Sequence, residues 1–176
     1  MTPLTPAGRL CLAATGRSAP ARGGQIVTVL DAAHYFLTKP DRDTGYNITH
    51  LKLQKLCYYA QAWHLALLGD RLFDAAFEAW AHGPVCRDLW DAYRDSGWHP
   101  IPPDEEFDPN QIDDDDRIFL DEVWNAYGKF TAKHLEEMAH QETPWIEARR
   151  GLPPGARCNI VISDDSMRSY YAALAE

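Results

Sequence analysis

The sequence predicts a mainly α fold: a compact single-domain helical bundle of about six helices around one long central helix, with a small β element near residues 77–82 and 160–162. Three observations predict it. The run "LKLQKLCYYAQAWHLALLG" from Leu51 to Gly69 is helical in period and uninterrupted by proline. Most other segments repeat apolar residues every three to four positions, and strict alternation occurs only around Phe77–His82. The chain has 176 residues, 45% of them hydrophobic, including 6 Trp and 8 Tyr, which suits one domain with a substantial core.

Taken in order, Thr28-Val29-Leu30-Asp31 has the spacing of a capping box, and Leu30, Ala33, Phe36 and Leu37 form the stripe of a helix ending before Pro40. The stretch "KPDRDTGYNI" reads as a loop. Thr49 caps the long helix and Gly69 closes it in a left-handed turn. At 1.5 Å per residue that helix is nearly ~30 Å long, enough to cross a small domain. Trp63, Leu56, Leu67, Ala60, Leu53, His64, Cys57 and Leu68 share one core-facing arc. The opposite side carries Lys52, Gln54, Lys55, Tyr58, Tyr59 and Gln61 mixed with apolar residues, and reads as a face packed partly beneath neighbours.

Phe77, Ala79 and Ala81 alternate with Glu78, Trp80 and His82 as in a short strand. Gly83-Pro84 is read as its end, with Pro84 in the first turn of a helix whose stripe is Val85, Leu89, Ala92 and Tyr93. Residues 98–112, rich in proline and acid, form an excursion loop. Asp113 to Asp116 complement the start of a helix dipole, and Leu120, Val123, Trp124 and Tyr127 form that helix's stripe. "TAKHLEEMAHQ" and "TPWIEAR" are two short helices, the second with Thr143 as cap and Pro144 in its first turn. Ile160 and Ile162 mark an extended piece, and Ser163 opens a last helix with Met167, Tyr170, Tyr171 and Leu174.

The formal net charge of −9 argues against nucleic acid as the main partner, because phosphate binding needs clustered Lys and Arg. Cys11, Cys57, Cys86 and Cys158 are widely spaced, without C-x-x-C, and read as reduced thiols. With no apolar run near ~20 residues, a cytoplasmic home is expected and no membrane partner. Residues 1–26 are expected to be a disordered N-terminal tail or a mis-called start, and 27–176 the folded domain. Residues 1–25 have Arg9, Arg17 and Arg22 as their only charges, so residues 26–176 carry −9 − 3 = −12. The composition of that leader resembles a transit peptide, but its apolar patch is too short for a secretion signal.

No phosphate-binding glycine loop, nucleophile elbow or H-E-x-x-H stands in the chain. Glu137-Met138-Ala139-His140 is a single E-x-x-H, and carboxylate-bridged di-iron bundles need two plus further inward glutamates. No cofactor or metal is expected. His64, on the apolar arc, reads as a hydrogen-bonded core histidine. His82 reads either as a turn histidine satisfied by nearby backbone or as a partner contact, and His140 as a brace for the turn beside Pro144-Trp145 or part of the same surface.

Three ordered motifs carry a family resemblance. Lys52-Leu53-Gln54-Lys55-Leu56 with Tyr58-Tyr59 and Trp63 matches K-L-Q-K-L-x-Y-Y with a downstream Trp. Glu78-Ala79-Trp80 followed by Gly83-Pro84-Val85 matches E-A-W-x-x-G-P-V. Leu135 through His140, then Glu142, Pro144 and Trp145, matches a leucine-led helix ending in T-H-x-E-x-P-W, with Ala139 in place of the threonine. That change removes one hydroxyl and any hydrogen bond the family makes with it. The closing "ISDDSMRSYY" fits as well. Over about residues 27–172 the chain resembles the Panacea domain of SocA-like antitoxins and phage-associated GepA-type proteins.

The resemblance implies a non-enzymatic antitoxin of a bacterial or phage toxin–antitoxin system, which neutralises a cognate toxin protein by direct contact. A second reading is an adaptor that delivers the toxin to an ATP-dependent AAA+ protease. A third, of another class, is a metal-dependent hydrolase using Glu137, His140 and His82. Candidate partner contacts are Lys52, Gln54, Lys55, Tyr58, Tyr59, Glu78, Trp80, His82 and Pro84. Tyrosine and tryptophan favour interfaces, whereas lysine is depleted at their centres, so Lys52 and Lys55 equally suit internal pairing, for instance with Glu78.

Overall fold

The computed structural model describes residues 26–40 and 47–175, so readings of residues 1–25, Cys11 included, lie outside it. The described chain is mainly α: seven helices, against the six or so expected, and one two-stranded hairpin. Helix α1 spans Val29–Leu37 and begins with the reciprocal Thr28–Asp31 capping box. Helix α2, His50–Leu68, is capped by the Thr49 hydroxyl and ended by Gly69 at φ 85°. Helices α4 (Asp114–Tyr127), α5 (Ala132–Ala139), α6 (Thr143–Arg149) and α7 (Asp164–Ala175) follow the expected order.

Helix α2 is the axis of the molecule. Helices α1, α4, α5 and α7 and the hairpin pack around it, and 15 of its 19 residues are buried. A helix enclosed on all sides has no solvent stripe, which is why its hydrophobic pattern looks weakly amphipathic. Leu53, Leu56, Cys57, Ala60 and Trp63 fill the expected arc, whereas Leu67 and Leu68 at its end are half-exposed.

Strand β1 (Phe77–Trp80) alternates buried and half-buried residues as expected, but the chain does not leave the sheet at Gly83-Pro84. Gly83–Cys86 forms strand β2, paired antiparallel so that Phe77 faces Cys86 and Trp80 faces Gly83. Ala81-His82 forms the turn between them. Proline is tolerated here because its missing N–H falls on the side of the strand turned towards α2, where its carbonyl accepts from Lys55. Helix α3 therefore begins at Arg87 and runs to Tyr93. Its Leu89 is buried and Tyr93 half-buried as expected, but Ala92 is exposed. Residues 160–162 flank β1 on its other side: Ala79 N donates to Ile160 O at 2.9 Å and Ile162 N to Phe77 O at 2.8 Å.

One cap moves by a residue. Helix α6 has Glu142, not Thr143, at its N-cap, and the Glu142 side chain makes no cap bond because it turns inwards. Cys57, Cys86 and Cys158 are buried free thiols, as expected. No described helix is long and apolar enough to cross a membrane.

Candidate functional site

The polar residues of α2 meet backbone. Lys52 Nζ donates to Gly128 O at 2.6 Å and lies 5.5 Å from the Trp124 ring. Gln54 clasps Cys86 from both sides, donating to its carbonyl at 3.1 Å and accepting from its N–H at 2.8 Å. Lys55 Nζ donates to Pro84 O at 2.9 Å. Gln61 donates to Phe73 O at 2.9 Å and accepts from Leu72 N at 2.9 Å. Irregular backbone and the outer edge of β2 beside a core must find partners or suffer a desolvation penalty, and these side chains supply them. Internal pairing of Lys52 and Lys55 thus holds, but with carbonyls rather than with Glu78. Complete burial pushes the Lys55 ammonium down to about 7, with nearby Glu136 opposing the shift.

Tyr58 and Tyr59 are wholly enclosed. Tyr58 meets Tyr59, Phe77 and Tyr171 edge to face, and Tyr59 stacks on Tyr127 with centroids 4.1 Å apart. Tyr59 Oη donates to Glu142 Oε1 at 3.2 Å, and Tyr171 Oη donates to Glu142 Oε2. Burial pushes this carboxyl up to about 7, although both hydroxyls favour its charged form. Trp63 Nε1 donates to Tyr127 Oη at 2.7 Å, extending the network to α4.

Six of the nine candidate contacts are therefore interior in this conformation: Lys52, Gln54, Lys55, Tyr58, Tyr59 and Pro84. The face of α2 expected to help present a recognition surface is instead covered by the hairpin, the 128 turn, α6 and α7. Glu78, Trp80 and His82 are the three that reach solvent. Arg87 forks onto Glu78 at 2.9 and 3.1 Å, and Trp80 Nε1 donates to the same carboxylate at 2.7 Å. Partial burial raises the Glu78 pKa, but the Arg87 fork and the indole N–H outweigh it and hold the carboxyl below its ordinary range. The His82 side chain is 68% exposed and its Nδ1 lies 3.2 Å from Glu136 Oε1, so its partner is a carboxylate rather than backbone.

Trp90 and Arg149 at this end had no role in the sequence reading, whereas His140 and Trp145 did. Trp90 of α3 sits 5.1 Å from Trp80 and 5.2 Å from His50. Arg149 Nη1 donates to Ala79 O at 2.8 Å, Nη2 holds the carbonyls of Pro153 and Ala156, and the guanidinium lies 4.7 Å over Trp145. Trp145 Nε1 donates to Trp80 O at 2.9 Å, and His140 packs on Trp145 with centroids 4.3 Å apart. The pair Arg149-Arg150 gives no sequence signal for which arginine turns inwards. His64 is buried with Nδ1 2.8 Å from Asp70 O, as a core histidine should be. Glu137 is exposed, and no group of three or more His, Cys, Asp or Glu among the described residues could hold a metal.

Residues 53–146 match the family model described as "Antitoxin SocA-like, Panacea domain", 94 of 176 residues (146 − 53 + 1). The chain belongs to the SocA-like antitoxin, Panacea-domain family. Neither the curated proteins nor the solved structures compared with it contain a match.

In this Panacea domain the quoted motifs join in space. The first lies on α2, the second is the hairpin clasped by Gln54 and Lys55, and the third supplies Glu142 to Tyr59 and Trp145 to Trp80. Ala139, in place of a threonine, is fully buried beneath Gly83. The closing segment lies beyond the matched residues, yet its Tyr171 completes the Glu142 clasp.

Proposed function

We propose that this chain is an antitoxin that neutralises a cognate toxin by direct protein–protein contact, and that the contact includes Glu78, Trp80 and His82. Family membership carries the reading. The hairpin geometry supports its location: the turn is fixed from beneath by Gln54, Lys55 and Trp145, while Trp80, Arg87 and Trp90 stand at its surface. Tryptophan and arginine are the residue types that most often dominate binding energy at interfaces. The six interior candidates contribute by holding that surface in shape rather than by touching the toxin. Binding, not turnover, is the activity.

Co-expression with any small open reading frame found beside the gene, in a host whose growth that frame arrests, is the test. Relief of growth arrest, with the toxin accumulating in a complex with this chain, is the expected result. Relief accompanied by AAA+ protease-dependent loss of the toxin makes the chain a delivery adaptor instead. Continued arrest with both proteins present and folded contradicts either form.

A further inference from the structure

Trp80 and Trp90 stand 5.1 Å apart with their planes inclined at 57°, and Glu78 lies beside them with a carboxylate held by the Trp80 indole N–H. Two tilted indoles with an adjoining carboxylate are the ingredients of a cation-accepting aromatic site: the ring faces attract positive charge and the carboxylate completes its hydrogen bonds. The chain itself shows what such a site takes. The Arg87 guanidinium sits 5.4 Å over the Trp80 ring and forks onto Glu78.

That occupant is poorly sheltered. The Arg87 side chain is 56% exposed, and a solvated ion pair contributes little, so exchange for another cation is energetically close to balanced. Around it, α3 and the turn after it expose Asp88, Asp91 and Asp95 beside Trp90. The basic residues among them, Arg87 and Arg94, are paired to Glu78 and Asp91. The chain as a whole carries −9. This surface complements an approaching basic segment.

We propose that Trp80, Trp90 and Glu78 form a docking site for an arginine or lysine side chain of a basic partner segment, with Arg87 as its internal stand-in. The partner's cation displaces Arg87 from the Trp80 face and Glu78, and Asp88 and Asp95 hold its flanking positive charge. This rests on the binding-module reading and adds the chemistry of the partner.

The test follows the indole N–H signals of the six tryptophans by NMR while a peptide of alternating arginine and leucine is added, with alternating glutamate and leucine as control. The Trp80 and Trp90 signals are expected to move with the basic peptide alone. Arg87→Ala empties the site and is expected to tighten binding about threefold beyond Arg94→Ala, which removes the same charge about two helical turns away. Glu78→Gln is expected to weaken it. Unmoved Trp80 and Trp90 signals, or equal effects of Arg87→Ala and Arg94→Ala, overturn the site. A toxin that is neutralised while those signals stay still sinks this site and the Trp80 contact, and leaves direct neutralisation intact. A chain that takes the basic peptide here but neutralises nothing does the reverse.

Discussion

Lys55 and Gly83 are in direct contact: a Cβ built on Gly83 would fall 2.8 Å from Lys55 Cε, and Gly83 holds φ +91°. The hairpin thus sits on the side chain that donates to its own Pro84 carbonyl. Gly83→Ala is expected to destabilise the fold by roughly 1–3 kcal/mol, from the left-handed backbone and the lost space together. The midpoint of urea unfolding reads this directly, and an unchanged midpoint means the turn is not fixed from below.

Lys55 makes stability depend on pH. Its ammonium titrates at about 7 in the folded chain against 10.5 when exposed, so the unfolded chain binds the extra proton between those values. The contribution of this group is expected to rise with pH from 7 to 10.5, at up to ~1.4 kcal/mol per pH unit. The buried Cys57, Tyr58 and Tyr59, held above their ordinary values by burial, oppose it at the upper end of the window. Lys55→Met should flatten that limb in urea titrations across the window.

Glu142 works in the opposite direction. Its carboxyl titrates at about 7 when folded against 4.5 when exposed, so the folded chain holds the extra proton between those values. Its contribution is present below 4.5 and lost as pH rises through 7. Glu142→Gln keeps an oxygen that accepts from one of the Tyr59 and Tyr171 hydroxyls and donates an amide N–H to the other, and is expected to remove Glu142's contribution to the decline between pH 4.5 and 7. A decline that persists in the variant assigns it to another group.

Tyr59 and His82 separate core from surface. Tyr59→Ala deletes a stacked, hydrogen-bonded ring and is expected to cost about 3–5 kcal/mol of stability, as truncation of a buried aromatic does. His82→Ala, at an exposed turn, is expected to change stability by about 0.5 kcal/mol or less while weakening toxin binding. Paired unfolding and binding titrations check both.

The sequence made the ends of elements plain where one residue acts locally. Thr28 and Thr49 cap, Gly69 terminates, and β1 alternates as its pattern says. It failed where a side chain answers a need created by tertiary structure. Lysine and glutamine on α2 read as a face packed only partly beneath neighbours, but the bonding groups they serve belong to β2, the 128 turn and the 72–75 loop, distant in sequence, and enclose it. Strand β2 was hidden because Gly83-Pro84 signals a break, and only the docking of Pro84 against Lys55 makes proline acceptable there. Glu142 looked like a motif letter beside a Thr143 cap until α7 brought Tyr171 to it.

Hydrogen exchange of the chain alone and in complex with its toxin tests most directly whether α2 is an internal scaffold and the hairpin with α3 the recognition surface. New protection is expected across residues 77–93, with α2 amides keeping the protection they have in the unbound chain. Unchanged exchange at 77–93 together with altered exchange along α2 would contradict it.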